Sequence, residues 1–330
     1  MIFLMTNAPQ FRNDLGEVIR AFFDIAEIAW IEERPALEQG DVFVQCSLAE
    51  DGSHASVEMG GGGVWRYDDA QLAADLAAAR DELERKKYRK RSLKYALYRA
   101  LCACCGHRLP WGALTGIRPT KLVRELIREH GAQRAEELLS ERFDVSGQKA
   151  ELAFSIVRLQ EEVLSTRGPG DFDLYVGIPF CATRCVYCSF AAYELGKGCA
   201  GVANVEQYVR SLEEDIARFV ALVRGRGYTV RSVYVGGGTP TALSEGQLRR
   251  VLEGVLSACS GFGREFTVEA GRPDTIDEGK LRMMKELGVT RISINPQSMN
   301  PGTLELIGRS HTPGDIERAM EMARKAGFGC

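Results

Sequence analysis

The sequence predicts an α/β chain in which a small N-terminal α+β domain and a helical region precede a partial (β/α) barrel. Three observations carry that expectation. From residue 171 onward a strand, loop, helix rhythm recurs four times, and alternation at this spacing builds parallel βαβ units. Residues 1–69 instead mix an apolar opening strand, a helix and period-two alternation. Residues 70–167 are dominated by helical periodicity, until ThrArgGlyProGlyAsp at 166–171 breaks the chain. The expected domains are therefore 1–69, 70–167 and 168–330.

Taken in order, MIFLMTN reads as a strand and Leu15 to Trp30 as an amphipathic helix, while DVFVQCSLAEDGSHASVEM alternates around an EDGSH turn. The four glycines at 60–63 read as a flexible break. They are no phosphate loop, because no strand feeds them and no Lys-Ser/Thr follows. Helices are expected over Ala70 to Cys105, Thr120 to His130, Ala132 to Phe143 and Ser146 to Arg167. Beyond the break the strands are LYVGIPF, SVYVGGG, FTVEA and RISINPQ. Their helices run from Val205 to Val223, Glu245 to Leu256, Glu278 to Leu287 and Asp315 to Ala326. Such a sheet places chemistry at the carboxyl ends of its strands, whether open or closed into a barrel. Each strand here runs into an unusual segment: PFCATRCVYC, GGGTPT, EAGRPD and NPQSMN. The chain stops at Cys330, where a fifth strand would begin, which points to a truncated protein.

Composition narrows the function classes. With 330 residues, 45% apolar and 26% charged, the chain suits two or three ordinary soluble domains. A formal net charge of -3 gives no general attraction to nucleic acid or an anionic membrane. No apolar run approaches the ~20 residues that span a bilayer. The brief apolar start lacks a basic leader and reads as a strand, not a signal peptide, so a cytoplasmic location is expected. Ten cysteines spread over a long chain without an export signal are more consistent with reduced thiols or metal ligands than with disulfides.

Three of those cysteines decide the reading. Cys181, Cys185 and Cys188 follow the first barrel strand with gaps of three and two residues. Thiolates select zinc or iron-sulfur among common metals, and closed zinc sites and ferredoxin clusters both take four protein ligands. Three ligands leave one iron of a [4Fe-4S] cluster open, and S-adenosylmethionine can chelate it through its amino and carboxylate groups. The competing reading is a zinc or ferredoxin-type site completed by Cys199 in GKGCAG. Around the triplet, Gly236, Gly237, Gly238, Thr239 and Pro240 end the second strand, where bare backbone can approach a ligand. Glu269 ends the third strand, Gln297 the fourth, and Arg309 offers a fork suited to a carboxylate.

A triplet of this spacing with Tyr187 before its last cysteine resembles the radical S-adenosylmethionine (radical SAM) superfamily. YVGIPFC, CVYC, GGGTPT, FTVEA, INPQSMN and IGRSHT resemble the oxygen-independent coproporphyrinogen III dehydrogenases, and WGALTGIRPTKL at 111–122 with INPQSMN looks like their HemZ branch. The resemblance implies a radical SAM barrel holding a [4Fe-4S] cluster on Cys181, Cys185 and Cys188. It also implies S-adenosylmethionine contacts by Tyr175, Tyr187, Gly237, Gly238, Thr239, Glu269, Gln297 and Arg309. It further implies coproporphyrinogen III as substrate, decarboxylated to protoporphyrinogen IX, and a reductant protein such as flavodoxin or ferredoxin as partner. One departure points elsewhere: the best-known dehydrogenases carry a fourth cysteine two residues after the triplet, whereas Ser189 and Phe190 follow here, as in the related heme chaperones. Both an enzyme and a heme carrier therefore stand as functions.

RKKYRKRSLK at 85–94 holds seven basic side chains in ten and reads as a solvated helix face, not a nucleic-acid patch. Cys102, Cys104, Cys105 and His107 cannot share one metal on a continuous helix, since Cys104 joins the apolar face with Leu93, Leu97, Ala100 and Leu101 while Cys102 points almost opposite.

Overall fold

The computed structural model describes residues 1–24, 27–196, 201–259 and 265–329, and the chain divides into two units, Met1–Thr166 and Arg167–Cys330.

The first unit is built on a five-stranded sheet. β1 (Ile2–Thr6) pairs in parallel with β2 (Ala29–Trp30) and β3 (Val42–Leu48), and β3, β4 (Ser53–Met59) and β5 (Val64–Asp69) continue as an antiparallel meander, giving the order β2-β1-β3-β4-β5. The EDGSH turn lies where expected, between β3 and β4. The helix expected over Leu15 to Trp30 is shorter and shifted. α1 spans Arg12–Arg20, and Ala29 and Trp30 pair with Phe3 and Leu4 as an edge strand, because pairing with β1 overrides the local helical pattern. The glycines at 60–63 are no flexible break but the turn of the β4–β5 hairpin. Met59 N–H donates to Gly63 O at 3.1 Å, Gly61 has φ of 76°, and a Cβ at Gly60 would fall 1.8 Å from Glu38 O.

The helical stretch from Ala70 also divides. α2 (Leu72–Ala78) ends in extended backbone at Ala79, and Asp81 starts α3 (Glu82–Cys105) by accepting the Glu84 amide at 2.8 Å. α3 packs on the sheet and also against α1 and α2, so every residue from Ser92 to Tyr98 is buried. That envelopment corrects two expectations. The basic run is only partly a solvated face, since Lys94 is 6% exposed and donates to Thr115 O at 2.7 Å. Cys102 does not point away from the core, because both it and Cys104 pack half-buried against it. α4 (Pro119–His130), α5 (Ala132–Phe143) and α6 (Gly147–Leu164) complete the unit around a second apolar cluster that includes Val123, Leu139 and Ala153.

The second unit carries a four-stranded, wholly parallel sheet. β6 (Asp171–Ile178), β9 (Thr229–Gly237), β10 (Glu265–Glu269) and β11 (Arg291–Ser293) lie side by side in chain order, connected by α7 (Val202–Arg224), α8 (Glu245–Ala258) and α9 (Glu278–Glu286). This is the α/β partial-barrel architecture expected. Two short strands, β7 (Phe180–Cys181) and β8 (Tyr193–Glu194), pair within the loop after β6. α10 (Pro301–Leu306), which the sequence reading did not anticipate, and α11 (Pro313–Lys325) end the unit. Alternation sorts the sheet's faces. Val176, Ile178, Val233, Val235, Phe266 and Val268 are buried with helix residues such as Val209, Val251 and Leu281. Each such side chain contributes about 1.5–3 kcal/mol when fully buried.

Candidate active site

At the carboxyl end of this sheet the loops after all four strands meet on one cavity of about 150 Å³. Cys181, Cys185 and Cys188 line it together with Tyr187, Gly237, Gly238, Thr239, Glu269, Gln297 and Arg309. Of the eleven residues that the family resemblance implies as cluster ligands or S-adenosylmethionine contacts, Tyr175 alone does not, and of the glycine segment Gly236 and Pro240 also lie outside the lining. The Tyr175 ring stacks on Tyr234 instead, with centroids 6.0 Å apart and 14° between planes. Tyr234 in turn bonds Glu269, so Tyr175 stands beside the site, where burial and then the Glu269 carboxylate raise its phenol pKa. Cys199 lies outside the described residues. Among the described residues, no three His, Cys, Asp or Glu side chains gather about a single metal-ion position.

The cysteine loop is held by named contacts. β7 and β8 pair at Phe180 with Tyr193 and at Cys181 with Glu194, Cys188 N–H donates to Cys185 O at 3.1 Å, and Val186 N–H donates to Ile307 O at 3.2 Å. The glycine strand end packs directly under it. Gly238 N–H donates to Ile178 O and Thr239 N–H to Phe180 O, both at 2.7 Å, while the Thr239 hydroxyl donates to Cys181 Sγ at 3.5 Å. A Cβ on Gly238 would fall 2.6 Å from Phe180 O and 3.0 Å from Cys181 Sγ, so only glycine fits. Burial raises the Cys181 thiol pKa, the Thr239 hydroxyl and Arg272 oppose that rise, and Cys188 and Cys185 add to it.

The other strand ends supply the polar wall. Tyr234 donates to Glu269 Oε1 at 2.5 Å, and burial followed by that carboxylate pushes the phenol up to about 12. Gln297 has φ of 63°, a left-handed conformation that costs a non-glycine residue about 1 kcal/mol or more and is concentrated at ligand sites. Arg309 approaches Gly271 O at 3.4 Å through Nη1, and its Nε is shielded from solvent without a partner in the described structure. A free donor of this kind is a ready point for a carboxylate. Three thiols, a glycine cradle, one acid and one underused guanidinium on a single wall fit a thiolate-held cluster with a zwitterionic amino-acid ligand beside it.

Arg272 escaped the sequence reading. It is 2% exposed, chelates Asp274 through Nε and Nη2 at 3.0 and 3.1 Å, reaches Ser310 Oγ at 3.1 Å, and donates to Thr183 inside the cysteine loop. Its signal was present in GRPD, an arginine wedged between glycine and proline at a strand end with an acid two residues on. His311 is equally buried and its Nε2 lies 3.1 Å from Pro296 O, tying the Arg309 segment to the loop that carries Gln297.

Comparison with known proteins follows the same lines. A family model described as the Radical SAM superfamily matches residues 175–330. The oxygen-independent coproporphyrinogen-III oxidase-like protein HemZ of Bacillus subtilis (strain 168) is 32% identical over 321 residues, covering 95% of this chain and 62% of that protein. The heme chaperone HemW of the same organism is 36% identical over 157 residues, 47% of this chain and 39% of HemW. A solved structure of coproporphyrinogen III oxidase (HemN) from Escherichia coli is 27% identical, covering 52% of this chain and 38% of that one, with a TM-score of 0.43. The chain thus spans less than two thirds of the length of each of these relatives.

Proposed function

We propose, from the match of residues 175–330 to the radical SAM superfamily model and the likeness to the HemZ and HemW proteins, that the protein oxidatively decarboxylates coproporphyrinogen III to protoporphyrinogen IX. The observation that supports this reading best is the convergence of the three cysteines and of Gly237, Gly238, Thr239, Glu269, Gln297 and Arg309 on one cavity at the strand ends. In this reading Cys181, Cys185 and Cys188 would hold a [4Fe-4S] cluster. The backbone of Gly237 and Gly238, which lines the cavity, would run beside a methionine chain, and Arg309 and Glu269 suit its carboxylate and ammonium. Bound there, the cluster and S-adenosylmethionine supply hydrogen abstraction from an unactivated carbon. The chain's own part is to orient these groups and to hold the cysteine loop rigid. A small reductant protein, flavodoxin or ferredoxin, is the proposed electron donor. Among the described residues no helix is long and apolar enough to cross a membrane, and the cytoplasm is the proposed location.

A second reading rests on its own observation. Ser189 and Phe190 stand where the best-known dehydrogenases carry a further cysteine, and Phe190, 63% exposed, lines the cavity mouth. A heme carrier that keeps the cluster site fits that feature.

One experiment separates the two. Anaerobically reconstituted protein is incubated with coproporphyrinogen III deuterated on its propionates, S-adenosylmethionine and dithionite, and porphyrins and nucleosides are resolved by chromatography. The enzyme reading requires decarboxylated product together with deuterium in 5'-deoxyadenosine. Intact coproporphyrinogen, undeuterated deoxyadenosine and stoichiometric heme binding would replace it with the carrier reading.

A further inference from the structure

The first unit contains a cavity of its own, about 260 Å³, between α3 and the segment 111–122 that leads into α4. Its wall carries charge of one sign in excess. Lys87 is paired with Glu125 at 3.2 Å and Lys90 with Asp14 at 3.1 Å, whereas Arg91, Lys94, Arg118 and Lys121 make no ion pair among the described residues. Glu125, already paired, is the cavity's one acid among its described lining residues. Gathering unpaired cations around one hollow is repulsive, and more so where they are shielded from water.

The position of each cation narrows what could balance them. Lys94 is buried, and its ammonium is committed to Thr115 O. Burial lowers its pKa, with Asp14 and Glu17 opposing. The Arg91 guanidinium lies 4.8 Å from the centroid of the Phe143 ring. Arg118 and Lys121 are at the open rim, at the start of the 12-residue α4, whose N-cap residue, Arg118, makes no side-chain cap bond. The positive end of that helix dipole therefore adds to the same field. Between the charges the lining is apolar, with Leu114, Ile117 and Leu122 beside Phe143. A bare inorganic ion would leave that apolar surface uncovered. A neutral apolar molecule would leave the cations unanswered.

We propose that this cavity binds an amphipathic organic anion, a carboxylate or phosphate ester carrying one apolar ring or a short apolar chain. The volume lies near the lower end of small-molecule sites, roughly 300–1,000 Å³. It suits a single-ring or short-chain ligand, and its lining shares no residue with the cysteine cavity, so the proposal does not depend on the porphyrinogen reading.

Calorimetric titration of the whole chain tests this with four probes: 4-phenylbutyrate, phenyl phosphate, inorganic phosphate and neutral 4-phenylbutanol. At least one aromatic anion should bind one site per chain, roughly tenfold or more tighter than both inorganic phosphate and the alcohol. Which of the two aromatic anions wins assigns carboxylate or phosphate. The doubly reversed variant Arg118→Glu/Lys121→Glu, altered only at the exposed rim, should weaken that binding by roughly tenfold or more with an unchanged melting midpoint. Arg249→Glu, a surface reversal in the second unit, should leave it unaltered. Absence of binding by both anions, equal binding of the alcohol or of inorganic phosphate, or indifference to the rim reversal would overturn the proposal.

Discussion

The buried guanidinium of Arg272 donates to both the carbonyl and the hydroxyl of Thr183, at 3.0 and 2.6 Å, so the segment after the third parallel strand clamps the cysteine loop that follows the first. The same guanidinium is held in place by Asp274 and Ser310, making a small network whose removal should be felt at the cysteines.

Replacing Arg272 by alanine leaves Asp274 without its counter-ion and Thr183 without its donor. The expected loss is about 3 kcal/mol of stability, because one partner of a largely buried charge pair is removed. Urea unfolding measures that loss. Anaerobic reconstitution of the variant should also yield less iron per chain than the native protein. Full iron retention would show that the clamp does not position the thiols.

Cys181, Cys185 and Cys188 should each be indispensable to a cluster of about four irons per chain. Substituting any one by alanine should remove the visible charge-transfer absorbance, while Cys199→Ala should retain it. An intact cluster in Cys185→Ala would end the three-thiolate assignment.

Gly238→Ala tests the close approach of backbone to thiol. Its new methyl would meet Phe180 O at 2.6 Å and Cys181 Sγ at 3.0 Å, and the first of these is main chain that cannot swing away. The expected result is lowered iron incorporation and weakened S-adenosylmethionine binding, with a global stability loss on the order of 1–3 kcal/mol from overpacking. Equilibrium dialysis with labelled S-adenosylmethionine reads the binding directly.

Acid should loosen the same clamp. Burial alone would raise the Asp274 pKa, but its bonds to Arg272 and Ser310 outweigh burial and hold the carboxyl below the usual range. A depressed folded pKa means the contribution is fully present above the unfolded carboxyl value, about 3.9, and fades as pH falls through the folded value. The stability gap between native protein and Asp274→Asn, measured by urea titration, should therefore be constant from pH 7 to 5 and narrow below about pH 4. A gap that widens on acidification would contradict this sign.

The parts legible in the amino-acid string are those with local causes. Strand and helix alternate after residue 171 because each βαβ unit carries its own apolar periodicity, and the cysteine spacing and the Gly236–Gly238 run are read directly because their chemistry depends on a few consecutive residues. Tertiary packing decided the rest. Ala29 and Trp30 left the expected helix because β1 offered them a strand partner, and the Gly60–Gly63 turn became essential only when β5 folded back on β4. α3 hides its periodicity because it is covered by the sheet on one side and by α1 and α2 on others, so burial no longer follows a single face. Arg272 meets Thr183 across 89 residues and Tyr175 meets Tyr234 across a strand pair, contacts that no window of sequence contains. Side-chain pairing across a sheet is set by register and by which loops share an edge, and those exist only once the strands have assembled.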